Sequence, residues 1–265
     1  MDKPPNASYR VAPVERGGTI SGACRLAGRP EPVRLRSWPG MGVEGGQDDG
    51  SITTGEGQAL EGCVVRLARV DQGKDWPVAM RSPEPATTID IQPGHYEPRI
   101  SLARPGSSLT LVSHLQAHTN TNVHVYANVF SRETVLNLAV DAGLTLKPAA
   151  PFMDRPGVYY VTEDMRRAFT AWIHVLANPY AELTSAQPSP GRPAGTFRLE
   201  DVPPGDYDLV CWHEPMDRQE RLGSDGRFAG YALGAPIELH RRIHVTARET
   251  TVADFDVPAA VEDGK

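Results

Sequence analysis

The sequence predicts an all-β protein built from tandem small β-sandwiches, with an extended arm at its N-terminus. Three observations predict this. Gly 25 and Pro 24 together make up 49 of 265 residues, well above the ~12% of average usage, and they are spread over the whole length as turn punctuation. Short runs of period-two alternation recur at roughly ten-residue spacing, the pattern of strands with one buried face. Apolar residues at helical spacing are nearly absent, and a single helical turn is expected, at Glu163 to Phe169. The length is about 1.8 times the usual ~150-residue domain unit, which indicates two or three small domains.

Residues 1–17 carry three prolines and no periodicity, so they read as an extended arm. A first sandwich is expected over 18–85, with strands at Thr19 to Leu26 and Cys63 to Val70. A long Gly-rich loop, 39–62, separates them, and Trp76, Pro77, Pro83 and Pro85 close the unit. A second unit, 86–180, places Ile89 and Ile91, then Leu109 and Leu111, on single strand faces. It continues through strands at Asn122 to Tyr126, Val135 to Val140, Gly157 to Val161 and Ala171 to Leu176. After Asn178-Pro179-Tyr180 comes SAQPSPGRPAG, a linker by composition. A third sandwich is expected over 181–257, with Pro203-Pro204-Gly205 as turn chemistry and Tyr207 to Trp212 as a strand, followed by a short tail, 258–265.

Charge restricts the partners. Lys+Arg 27 against Asp+Glu 33 gives −6, which disfavours nucleic acid, since neutralising phosphate needs a basic face. No window approaches the ~18 apolar residues that span a bilayer, and Met1 to Tyr9 has no apolar run of the signal-peptide kind. Cys24, Cys63 and Cys211 lack the paired short spacing of a zinc site. Cys24 and Cys63 fall on expected strands of one unit, so either a bridge between them or two buried free thiols is open; Cys211, between Val210 and Trp212, reads as core.

The strings GGTISGACRLAG, NVHVYANVF, GVYYVTEDMRRAFTAWIHVLANPYAELT and GTFRLEDVPPGDYDLVCWHE have a recognisable order. In it the chain resembles bacterial periplasmic proteins that combine a plastocyanin-like (cupredoxin) domain with carboxypeptidase-regulatory-like β-sandwiches and accompany methylamine-utilisation and cytochrome systems. The resemblance covers roughly residues 17 to 256. It implies that 86–180 is cupredoxin-like, that 18–85 is carboxypeptidase-regulatory-like, and that 181–257 is carboxypeptidase-regulatory- or transthyretin-like. In that family copper is held by two imidazoles, a thiolate and a thioether, a set suited to the ion. Here the aligned positions carry Thr121 and Arg166 for the two histidines, Glu163 for the cysteine and Phe169 for the methionine. A guanidinium stays protonated and does not coordinate, so the resemblance leads us to expect a cupredoxin-like domain without copper and a chain without cofactor. His114, His118 and His124 lie within eleven residues but lack a neighbouring thiolate.

No G-x-S-x-G, phosphate-binding glycine loop or calcium loop occurs, so no enzyme activity is expected. Function is then expected on the surface. The arm 1–17 and the segments 39–62, 186–195 and 215–236 are the candidate contacts, because extended chain loses little entropy on docking. Trp38, Trp76, Phe228 and Tyr231 are candidate anchors, and Arg241 and Arg242 face an acidic partner. The leading expectation is a membrane-extrinsic structural subunit of a bacterial electron-transfer assembly, a photosynthetic reaction centre with its light-harvesting ring being one concrete version. The alternative is a copper electron-transfer protein using His118 or His124 with a distant cysteine; a carbohydrate-binding sandwich with exposed Trp and Tyr is a third reading. The resemblance implies the periplasmic side of the membrane, and the missing export signal makes the cytoplasmic side the alternative.

Overall fold

The computed structural model describes residues 9–81, 86–128, 130, 133–148, 153–165 and 167–259. The chain is all-β. Among the described residues the strands are β1 (Arg10–Val11), β2 (Gly18–Ala27), β3 (Val64–Leu67), β4 (Gln72–Gly73), β5 (Ala86–Gln92), β6 (His95–Glu97), β7 (Ile100–Ala103), β8 (Ser108–Ser113), β9 (Asn120–Tyr126), β10 (Thr134–Asp141), β11 (Thr145–Leu146), β12 (Gly157–Glu163), β13 (Thr170–Val175), β14 (Ala181–Leu183), β15 (Thr196–Val202), β16 (Gly205–His213), β17 (Arg218–Leu222), β18 (Phe228–Leu233), β19 (Ile237–Val245), β20 (Thr250–Val252) and β21 (Phe255–Pro258). One helical turn, α1 (Val78–Arg81), follows β4.

Four sheets carry the architecture. The central sandwich consists of β11-β8-β5-β6 facing β10-β9-β12-β13-β7. The other, which we call the outer sandwich, consists of β14-β3-β16-β19 facing β15-β2-β20, with β21 also paired to β2. Strand pairing therefore corrects the expected division into 18–85 and 181–257. The N-terminal strands do not make a sandwich of their own: β2 pairs antiparallel with β15, Ala23 opposite Thr196, and β3 lies between β14 and β16. With only two long strands, the first unit cannot cover a core, and it completes one with the last unit instead. The central sandwich is an insertion within the outer one.

The insertion is stitched at its exit. Asn178 donates to the Leu67 carbonyl at 3.0 Å and accepts the Tyr180 N–H at 3.1 Å. The buried Tyr180 hydroxyl accepts the Lys74 N–H at 3.0 Å and donates to the Asp201 carbonyl at 2.8 Å. Asn178-Pro179-Tyr180, read from sequence as the end of a unit, is thus the seam where the chain returns to the outer sandwich.

The two sandwiches stack as four layers. Alternation along the strands explains how: Val161 and Ile173 point into the central core, whereas Tyr160 and Trp172 point out of it, and Val65 and Cys211 point into the outer core, whereas Val64 and Trp212 point out. The outward set forms a third apolar layer of Val64, Ile100, Tyr126, Tyr160, Trp172 and Trp212. Its rings run in succession, Tyr126–Tyr160 at 6.0 Å, Tyr160–Trp172 at 4.9 Å and Trp172–Trp212 at 5.3 Å. The strands at the middle of the two inner sheets are consequently buried on both faces, which is why every residue of β13 is buried.

Candidate functional site

The end of the central sandwich to which the resemblance assigns copper is built from non-ligating groups locked into the core. Thr121, Glu163 and Phe169 are all buried; Arg166 lies outside the described residues. The Glu163 carboxylate turns back along its own loop and accepts the Ala168 N–H at 2.7 Å. Phe169 is stacked on Trp38 at 5.9 Å and meets Tyr96 edge-on at 6.0 Å. Burial, together with the nearby Glu163 carboxylate, pushes the Tyr96 phenol well above its ordinary range. These residues do not fit a copper ion: the benzyl group fills the thioether's place, and the Glu163 carboxylate accepts from a backbone donor. The expected helical turn at Glu163 to Phe169 is also absent. Asp164 and Met165 form a turn, and side chains from elsewhere hold the rest.

That holding comes from the outer sandwich. Arg218, at the start of β17, donates to the carbonyls of Arg167 at 3.1 Å and Ala168 at 2.8 Å. It pairs with Asp49 at 3.0 Å, both side chains 1% exposed. Burial lowers the Arg218 pKa, partly offset by Asp49. Next to it Arg99 forms a two-pronged pair with Glu214, whose Oε2 also accepts the Trp172 indole N–H at 3.0 Å. Arg99 further donates to the Asp49 carbonyl at 2.6 Å. Buried charge in this setting is tolerable when paired, and here four charged side chains form two ion pairs, the Arg218 Nε lying close to Asp49 without a well-directed hydrogen bond.

The anchors expected on the surface divide accordingly. Tyr231 is 2% exposed, and its hydroxyl accepts the Arg36 N–H at 2.6 Å, so it is a core residue and not an accessible anchor. Trp38 and Phe228 are half-buried against the same core, Phe228 lying edge-on to Tyr231 at 5.1 Å beneath the Arg36 guanidinium. The loop 39–62 contributes Met41 and Val43 to the central core. Much of the Gly/Pro-rich chain therefore binds its own protein. Trp76 differs: it packs only edge-on against Tyr9, at 6.1 Å, where β1 of the arm runs parallel to β4. Around it Val11 is 52% and Val78 76% exposed. Arg241 and Arg242 are exposed on β19, Arg241 over the Phe255 ring.

The histidines of the alternative copper reading are not assembled. His118 is exposed at a positive φ of 66°. His124 is committed to Asp164 at 2.6 Å and Thr134 at 2.7 Å. All three cysteines lie in the outer sandwich, away from both.

Those cysteines are the feature that sequence reasoning missed. Cys24 on β2, Cys63 just before β3 and Cys211 on β16 are buried free thiols whose sulfurs all lie within 4.8 Å of one another. The Cys24 and Cys211 sulfurs are 3.7 Å apart. Spacings of 39 and 148 residues match no motif; only the correct pairing of β2 and β3 with β16 brings the three together. Burial opposes ionisation of Cys63, yet contacts from Cys211, Cys24 and His213 hold it well below the ordinary thiol range. Hydrogen bonds from Cys24 and Cys63, with burial, push Cys211 well above it.

No family model matches the chain, and no curated protein matches it. Among solved structures, a copper-containing nitrite reductase from Thermus scotoductus SA-01 is similar at 16% identity and a TM-score of 0.29, over 38% of this chain and 24% of that one. The chain thus spans about a quarter of that enzyme's length. A reduced amicyanin variant is similar at 15% identity and a TM-score of 0.30, over 42% of this chain and 98% of that one. Another, in the Cu(I) form, aligns at 16% and 0.29 over the same shares.

Proposed function

We propose that this chain is a non-catalytic, membrane-extrinsic structural subunit of a bacterial electron-transfer assembly, a photosynthetic reaction centre with its light-harvesting ring being the concrete case. The observation that carries the structural half is the closed end of the central sandwich. Where a cupredoxin-like domain would hold copper, Glu163, Phe169 and the Arg218 guanidinium bind only protein. The β17–β18 hairpin, through Arg218, and the loop 39–62, through Asp49, cover that end, and the aromatic layer joins the two sandwiches. Among the described residues no helix is long and apolar enough to cross a membrane. The electron-transfer half, and the periplasmic side, rest on the family resemblance given above.

The corner formed by the arm, Trp76, Val11 and Val78 is the contact surface this reading favours, because Val11 and Val78 are exposed there beside the half-buried Trp76, while Tyr231 is used internally. The test is a pull-down of the native protein from solubilised membranes with mass spectrometry. Co-purifying haem or chlorophyll proteins, lost with Trp76→Ala in a variant that still folds, are the expected result. Recovery of an isolated monomer would reject the assembly role. Exposure to Cu(II) is expected to give no electron paramagnetic resonance signal with nitrogen hyperfine splitting from His118 or His124; such a signal would favour the electron carrier instead.

A further inference from the structure

We propose that Cys24, Cys63 and Cys211 form a three-thiolate site for a soft monovalent metal ion, Cu(I), inside the outer sandwich and unrelated to the closed end of the central one. Geometry comes first. With metal–sulfur bonds of about 2.3 Å, three sulfurs around one ion in a plane sit about 4.0 Å apart. The cluster, with 3.7 Å between Cys24 and Cys211 and all separations within 4.8 Å, needs only small adjustments to reach that. Thiolates select Cu(I), zinc or iron–sulfur clusters. Zinc takes four ligands in structural sites, and the side chain that would supply the fourth, His213, is otherwise engaged.

His213 is the second observation. Its Nδ1 lies 2.8 Å from the Glu214 carbonyl and its Nε2 3.1 Å from the Glu61 carbonyl. Both ring nitrogens are engaged by backbone carbonyls, the side chain is 1% exposed, and the ligand set within 4.8 Å is, among the described residues, the three sulfurs alone.

The third observation is a way in. A cleft of about 220 Å³ at the junction of the sandwiches is lined by Gly62, Thr184 and His213 among others. Gly62 precedes Cys63, and the Thr184 hydroxyl oxygen accepts the Cys63 N–H at 3.0 Å. A side chain at Gly62 would meet Ile100 at 3.1 Å and sits at a φ of +79°, so glycine keeps this wall thin. Binding joins Cu(I) to three sulfurs without a change of oxidation state. The cysteines bind as thiolates, and each sulfur that carries a proton releases it to solvent.

The experiment is an anaerobic titration of the reduced, full-length protein with Cu(I) in competition with a chromogenic Cu(I) chelator. Expected are uptake of one ion per chain, release of protons on binding, and an X-ray absorption signature of sulfur ligands only. Cys24→Ala and Cys63→Ala, with folding checked by circular dichroism, are expected to lose the one-ion uptake. The proposal is overturned by no stoichiometric uptake while all three thiols titrate as free in the unfolded chain, by nitrogen ligation, or by unchanged uptake in either folded variant. The wild-type ligation and stoichiometry decide the matter even if the variants do not fold. A negative result leaves the pull-down untouched, since that role does not involve the thiols.

Discussion

His174, on β13, is 1% exposed, lies edge-on to Trp212 at 4.3 Å, and has an Nε2 with no hydrogen-bond partner. Burial, helped by the neighbouring Arg66, lowers its pKa from 6.5 to about 3. The folded state therefore binds this proton less readily than the unfolded state, and stability falls as pH drops below about 6.5, the loss running until about pH 3. Between pH 7 and pH 5 the loss from this group is expected to be about 2 kcal/mol. Urea unfolding at both pH values checks it: His174→Leu should flatten the dependence, and an unchanged slope would assign it elsewhere. Glu214→Gln is expected to cost about 3 kcal/mol, because it strips the countercharge from Arg99 in a buried network; a shift of the urea midpoint under 0.5 kcal/mol would show the network to be slack. At this scale the sequence was partly legible. The strand expected at Tyr207 to Trp212 is β16, and Trp212, His213 and Glu214 at its end are all buried. The thiol cluster was not legible, because it depends on which distant strands pair.

At the scale of elements, periodicity located nearly every long strand, from Ile89 and Ile91 on β5 to Tyr207 through Trp212 on β16. What it did not reveal was the fate of the long loops. Composition marks 39–62 and 215–236 as surface segments, but Met41, Val43 and Tyr231 carry them into the central core. Sparse apolar residues in a loop show no period, so nothing local distinguishes an arm that folds inward from one that awaits a partner. The hairpin of β17 and β18 makes a specific case. Replacing residues 217–234 with a short turn removes Arg218 from the Arg167 and Ala168 carbonyls and Tyr231 from Arg36. Hydrogen exchange is expected to rise in 33–48 and 164–169 while the outer sandwich stays protected. Exchange confined to the deletion site would show that the hairpin holds nothing.

For the whole molecule, the aromatic layer predicts that the two sandwiches unfold together. Trp172 and Trp212, 1% and 2% exposed, each remove a large apolar area from water in the layer between the sandwiches. Trp212→Ala is expected to cost about 3–5 kcal/mol and to split a single calorimetric transition into two. A single transition at lowered temperature would place the cooperativity in the ion network instead. The insertion topology also has a consequence in time. During synthesis β2 emerges long before β15, its antiparallel neighbour, since Ala23 waits for Thr196. At about 5–20 residues per second that interval lasts roughly 9–35 seconds, while the central sandwich is being completed. For that period Cys24 and Cys63 belong to unpaired chain, open to any oxidant or soft metal in the compartment. Only the arrival of β16 with Cys211 closes the thiols away.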